Sequence, residues 1–304
     1  MTNRIRIIGF WLVPCVAWLT CGCGQSGYLG PVANSRAANE IRTVLVTSSS
    51  SAGQGATAGQ ASTGTGWGTL RGRFTFDGAP PTMAPYDVTK DQATCTLDGK
   101  APLQQTLLVD SATKGIKNIV VFVRKAPRVH ESAGPSKEPV LYDQKECVFV
   151  THVLPLTVGQ PLQLKNSDNV GHNTNIRGKK NTFNQTIPAG ASVPFTPQKE
   201  EALPAPVNCS IHPWMSAYML PRKNGYYAVT AVDGTFEIPN LPAGEDLEIQ
   251  VWHESATGPG GGLVLSTPEA KQYKWSKKGR FKVKLEPDKT KEIDLNVPEA
   301  AFRS

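Results

Sequence analysis

From Trp67 onward the chain is written in short apolar–polar alternations broken by Gly, Pro and Asp-Gly, and no stretch sustains a helical period. A period of two over four to eight residues is the pattern of a strand with one buried face. Residues 68–76 alternate in this way and stop at Asp77-Gly78. Residues 118–123 form a compact aliphatic run that ends at Arg124-Lys125. Residues 147–154 and 161–164 read as further strands, the second following the turn Gly159-Gln160. Residues 226–232 and 235–238 flank Asp233-Gly234, a hairpin signal. Residues 247–252 and 280–285 complete the set. The expectation is an all-β protein assembled as sandwiches.

At 304 residues the chain has room for one or two domains with a sizeable core. Arg4 and Arg6 precede an apolar stretch, residues 7–19, too short for an ordinary membrane span. Small residues follow, in Leu19-Thr20-Cys21-Gly22-Cys23-Gly24. Residues 1–23 therefore read as a secretory signal, and the mature protein is expected outside the cytoplasm, periplasmic or at the cell surface. A Cys at the cleavage point resembles a bacterial lipoprotein signal. Cys23 has the small Gly22 before it, but Thr20 stands where an aliphatic residue is usual. Lipidation at Cys23 or Cys21 and plain cleavage both stay open. Residues 24–66 are rich in Ser, Gly, Ala and Thr, a composition that cannot offset its ordering entropy, and are expected to be a disordered tether.

Six cysteines are present, and Cys15, Cys21 and Cys23 belong to the export segment. Cys95, Cys147 and Cys209 remain, an odd number for an oxidising compartment. Cys209 has the context of a metal ligand, which leaves Cys95 and Cys147 as the candidate structural disulfide. The formal charge is +7, or near +5 (7 − 2) once Arg4 and Arg6 leave with the signal. The basic residues are scattered rather than clustered with aromatics, so no nucleic-acid partner is expected.

The run Cys209-Ser210-Ile211-His212-Pro213-Trp214-Met215, with Gly171-His172-Asn173 upstream, gathers one thiol, two imidazoles and one thioether. This set is softer than zinc or magnesium requires and suits copper cycling between Cu(I) and Cu(II). Zinc remains the minor alternative, since its sulfur sites seldom use a thioether. A binuclear copper centre would need a second bridging Cys, which this loop lacks.

Residues 159–215 resemble the cupredoxins. Gly159-Gln160-Pro161-Leu162-Gln163-Leu164-Lys165-Asn166 resembles the strand leading to that family's first ligand loop. Asn166-Ser167-Asp168-Asn169-Val170-Gly171-His172-Asn173 is similar to the loop itself. Cys209-x2-His212-x2-Met215 is similar to the short amicyanin-like second ligand loop. The resemblance implies a type 1 copper ion held by His172, Cys209 and His212 in a plane, with Met215 as the weak axial ligand. Met219 competes with Met215 for that place. His172, 37 residues (209 − 172) before Cys209, has room to lie on a neighbouring turn at the same end of a Greek-key sandwich. Asn173 is expected to tie the two loops by hydrogen bonds and Pro213 to stiffen the turn. His152 and His253 lack such framing and read as structural; His130 lies in a polar loop and reads as solvated.

A second resemblance covers residues 226–254. Ala228-Val229-Thr230, Asp233-Gly234-Thr235-Phe236 and Leu241-Pro242-Ala243-Gly244 are similar to the carboxypeptidase regulatory-like, transthyretin-like sandwich, an immunoglobulin-like architecture. Its opening Gly-x-x-x-Gly strand has a counterpart in Gly68 and Gly72, and its next strand in residues 119–123. The resulting division places that sandwich at 67–137 and 225–298, with the copper domain inserted at 138–224. A tandem order, the copper domain starting nearer Lys100, is the alternative.

Four protein ligands leave no open position for substrate, so an electron carrier is expected rather than an enzyme. The resemblance implies that His212 presents an exposed edge for electron passage. Trp214, Tyr218 and Met219 would surround it with an apolar docking patch. Arg177, Lys179, Lys180, Arg222 and Lys223 would steer an acidic redox partner, a c-type cytochrome or a dehydrogenase. A copper-handling module, and a surface structural protein with a degenerate copper site, are the other readings.

Overall fold

The computed structural model describes residues 66–303. The expected signal, the lipidation candidates Cys21 and Cys23, and residues 24–65 of the tether lie outside them. Strand β1 (Trp67–Asp77) is followed at a distance by β2 (Val120–Val123). Nine strands come next: β3 (Val140–Lys145), β4 (Val148–Phe149), β5 (Val153–Thr157), β6 (Leu162–Asn166), β7 (His172–Arg177), β8 (Thr182–Ile187), β9 (Ser192–Phe195), β10 (Ala205–Asn208) and β11 (Ser216–Arg222). The last five are β12 (Tyr227–Val229), β13 (Thr235–Pro242), β14 (Asp246–Trp252), β15 (Arg280–Lys284) and β16 (Thr290–Pro298). Two single-turn helices, α1 (Gln92–Cys95) and α2 (Pro268–Lys271), interrupt the loops. The described chain is all-β.

Four sheets enclose two cores. One pair has the orders β13-β1-β16 and β12-β2-β14-β15, and the other β4-β3-β6-β9 and β5-β11-β10-β7-β8. Strands from the two ends of the described chain thus build the first pair, and the nine between them build the second. In β1 every second residue from Gly68 to Phe76 is buried, the period of a strand with one inward face. Gly72 belongs to that face because β16, its parallel neighbour, runs so close that a Cβ would lie 2.1 Å from the Ile293 carbonyl oxygen.

β2 is buried at every position. Val121 and Val123 enter the first core, while Val120 and Phe122 face Val153, Leu220 and Trp252 in a smaller cluster between the two sheet pairs. A strand covered on both faces reads as an unbroken aliphatic run, which is why residues 118–123 carry no alternation. Arg222 reinforces the same seam. Its guanidinium donates to the carbonyls of Glu201, Val123 and Arg124 at 2.8, 3.0 and 3.0 Å and lies over the Phe122 ring.

Two expectations change here. Asp233-Gly234 does make a tight turn, with Gly234 in the left-handed region. The strands it joins do not pair as a hairpin: β12 pairs with β2, and β13 with β1. The chain changes sheets because Thr230 is drawn inward, its hydroxyl donating to the Ile116 carbonyl and accepting from the Ile119 amide. Residues 147–154 are likewise two strands rather than one, β4 and β5, parted at Val150 to His152.

Candidate metal centre

β7 opens on His172, and β10 ends one residue before Cys209. Antiparallel pairing of β10 with both β7 and β11 brings His172 and the loop from Cys209 to Met215 to one end of the second core. The loop closes on itself through Cys209 N–H to the Met215 carbonyl at 3.2 Å and Met215 N–H to the His212 carbonyl at 3.0 Å. Pro213, which has no N–H to satisfy, occupies the bend inside it. Asn173 joins the loops: its side-chain oxygen accepts from the Ser210 amide and hydroxyl, and its amide group donates to Asn184.

The structure brings three of the expected ligands together. Nδ1 of His172 lies 2.9 Å from Nδ1 of His212, and Nδ1 of His212 lies 3.8 Å from Sγ of Cys209. His172, Cys209 and His212 each offer an atom within 4.8 Å of the other two, and all are buried. Met215 is buried in the same core, whereas Met219 sits farther along β11, opposite Ala205. One ion with nitrogen bonds of about 2.0 Å and a sulfur bond of about 2.3 Å spans at most about 4.0 Å between nitrogens and 4.3 Å between nitrogen and sulfur. Both observed separations fall inside those limits, and the soft donor set matches copper.

Each imidazole is held from behind. Nε2 of His172 donates to Asp168 at 2.7 Å, and Nε2 of His212 to Asp91 at 2.8 Å. A proton fixed on Nε2 leaves the Nδ1 lone pair facing inward, the arrangement by which carboxylates orient histidine ligands. Asp168 also accepts the amides of Glu146 and Cys147 at 2.7 and 2.9 Å. The Cys209 sulfur accepts the amides of Asn173 and His212 at 3.2 and 3.4 Å.

These contacts set the charges of the metal-free site. Burial pushes the Cys209 thiol up, but the hydrogen bonds from His172 and from the surrounding amides outweigh it and bring the pKa down to about 6. Burial likewise pushes His172 down, but Asp168 and then Cys209 outweigh it, and its pKa rises to about 9. Burial of Asp168 is outweighed in turn by His172 and the turn amides, so its pKa falls below the usual carboxylate range. At neutral pH the site holds a thiolate beside an imidazolium, a pair ready to trade a proton for a metal ion.

Cys95 and Cys147 are disulfide-bonded, and Cys209 is the free cysteine among the described residues. The bridge fastens the segment between β1 and β2 onto the second core, where Tyr86, Val88 and Ala101 also pack. This segment overturns the expected exposed edge of His212. That residue has no exposed surface, because Asp91 covers its outer nitrogen. The expected docking patch is lost as well: Met219 is buried, and Trp214 turns inward to donate to the Cys147 carbonyl at 3.1 Å. Tyr218 instead stacks edgewise on Trp252 in a cleft of about 420 Å³, rimmed by Arg177, Lys179, Glu254 and Arg303. Arg222 is buried in the seam and is no steering charge.

The remaining histidines are placed elsewhere. His152 pairs with Glu254, and buried His253 accepts the Ser255 amide and packs edgewise on Phe302. His130 is half-buried rather than solvated, its ring accepting the Ser132 amide at the start of a short turn of helix. Asp91 was not legible as a site residue. Its signal lay only in Cys95, four positions on, whose bridge to Cys147 carries the neighbouring chain to the centre.

No protein family and no curated protein matches this chain by sequence. Among solved structures it is similar to the Cu-containing nitrite reductase of Thermus scotoductus, at 19% identity and TM-score 0.27, over 32% of this chain and 25% of that one. It is also similar to amicyanin of Paracoccus versutus, at 14% identity and TM-score 0.25, over 34% of this chain and 97% of that one. A reduced Cu(I) mutant form of amicyanin gives 13% and 0.26, over 34% and 98%. The chain spans only a quarter of the nitrite reductase. At TM-scores this low the likeness carries no functional inference.

Proposed function

We propose that the protein holds one copper ion through His172, Cys209 and His212, with Met215 as a weak fourth ligand, and carries single electrons between redox partners. The observation that carries this reading is the convergence of two Nδ1 atoms on a thiolate-forming sulfur, each imidazole backed by a carboxylate. Bound copper would supply one-electron exchange between Cu(I) and Cu(II). The chain's part is to orient the donors, keep them dry and hold them still, so that little must rearrange with oxidation state. With four side chains on the ion no position is left for substrate, which argues against catalysis at the metal. The partner would be a redox protein such as a c-type cytochrome or a dehydrogenase, met outside the cytoplasm by an exported chain. A regulatory-like sandwich carrying the copper domain as an insertion is the domain reading that the strand order supports.

Copper loading tests the function. The Cu(II) protein is expected to show an intense visible thiolate-to-copper charge-transfer band that Cys209→Ala abolishes. A colourless adduct with zinc preferred over copper would sink the reading. The closure of His212 behind Asp91 favours one alternative, a module that retains copper without passing electrons. Stopped-flow mixing with a reduced c-type cytochrome separates the two: bleaching of the band supports the carrier, and an unchanged band supports the retaining module.

A further inference from the structure

The Cys95–Cys147 disulfide lies against the metal centre. Its two sulfurs and a ring nitrogen of His212 fall within 4.8 Å of one another, and all three residues are buried. Both sulfurs are carried by elements that already frame the ligands. Cys147 is the second residue of the tight turn from β3 to β4, where Glu146 and Cys147 both have positive φ, 54° and 52°. Its amide donates to Asp168, behind His172, and its carbonyl accepts from Trp214, inside the ligand loop. Cys95 ends α1, whose preceding residue, Asp91, holds His212.

We propose that this cysteine pair has a second use: when reduced, Cys95 and Cys147 form a separate two-thiolate site for Cu(I) against His212, adjoining the Cys209 centre. A dithiol reductant would break the S–S bond, giving up two electrons and two protons to leave two thiols while itself becoming a disulfide. Coordination then releases the thiol protons, and the ion's charge replaces them. The site suits a soft ion, because two thiolates are donors that copper(I) prefers. The same residues therefore close the cover over His212 when oxidised and hold metal when reduced. The site does not require Cys209, and so it stands or falls separately from the electron-carrier reading.

The test uses the full chain, reduced with a phosphine, freed of reductant without oxygen and titrated with Cu(I) against a competing chelator. Cys95→Ser/Cys147→Ser is the comparison, since every other cysteine is common to both. The expected result is about one more ion per chain in the native protein than in the double variant, an increment that Cys209→Ala retains. Equal copper content in the native chain and the double variant, or loss of the increment in Cys209→Ala, overturns the proposal. Mass spectrometry guards against a variant that folds poorly: Cu(I) should slow alkylation of Cys95 and Cys147 in the reduced native chain about tenfold or more. Labelling undiminished by Cu(I) also overturns it.

Discussion

Asp168 and Asp91 each accept a hydrogen bond from the outer nitrogen of a buried imidazole, at 2.7 and 2.8 Å, yet they are built into the molecule in different ways. Asp168 is four residues before its histidine, on the same loop, and holds the β3–β4 turn with its remaining lone pairs. It is nearly buried. Asp91 is 121 residues from its histidine, on a segment outside the second core's own strands, and its side chain is 43% exposed. One carboxylate belongs to the ligand loop. The other is delivered by a strap that a disulfide keeps in place. The difference teaches that the inner imidazole is fixed by local chain geometry, whereas the outer one depends on a long-range tether.

The largest expected effect concerns the inward Nδ1 proton of the His172 imidazolium, a charge that Asp168 stabilises from the Nε2 side. Between about pH 6 and 9 Cys209 is a thiolate and His172 an imidazolium, whose Nδ1 proton copper must displace. Copper affinity should therefore rise about tenfold per pH unit across that window, roughly a thousandfold in all, and level off above pH 9. Below pH 6 the thiolate is protonated too, and the slope steepens. The same titration leaves metal-free stability nearly flat in the window. His172, raised from its unfolded value near 6.5, loses its contribution as pH climbs through 9, while Cys209, depressed from near 9, gains its own as pH climbs from 6. Asp168→Asn should move the upper limit of the copper window downward; an unmoved limit would show that Asp168 does not stabilise the imidazolium. Competition titrations against a chelator at several pH values measure both.

Cutting the tether comes next. The bridge closes a loop over a sequence separation of 52, and by loop entropy its loss costs about 4 kcal/mol of folding stability. Denaturant unfolding of the oxidised and reduced chains reads this. The comparison adds a sharper expectation: reduction should expose the outer nitrogen of His212 but leave that of His172 protected. Ring-proton exchange that sped up equally at both histidines would break the contrast.

Asp168→Ala should destabilise the metal-free protein by roughly 3 kcal/mol, because it leaves a buried imidazole and two turn amides without an acceptor. It should also weaken copper binding by about 10- to 100-fold. Asp91→Ala is the smallest change. A half-exposed carboxylate contributes below about 1 kcal/mol to stability, and solvent can replace it on His212. Its signature is expected in kinetics instead, as faster reduction of the copper protein by a cytochrome. An Asp91 variant as unstable as the Asp168 variant would erase the distinction between the two sides.

Residues whose roles are local could be read directly. Cys209, His212 and Met215 share one short loop, and Asn166, Asp168 and His172 another, so spacing alone groups them. β1 was legible because alternation is a property of a single strand with one covered face. Legibility failed wherever distant segments met. The pattern at Asp233-Gly234 specified a turn but not which sheets its flanks would join. Tyr218 and Trp214 were apolar residues near the site, and only packing decides that one lines a cleft while the other faces Cys147.

The sequence by itself determined the all-β class, because periodicity is a local property, and it offered the donor set of the proposed centre on two short segments. It also left Cys95 and Cys147 as the cysteines able to pair. Only the tertiary structure decided that their bridge would lie against His212, that Asp91 would hold that ring, and that neither His172 nor His212 would be exposed. Those outcomes depend on contacts between segments 52 to 121 residues apart, whose encounter is fixed by tertiary packing rather than by any local pattern.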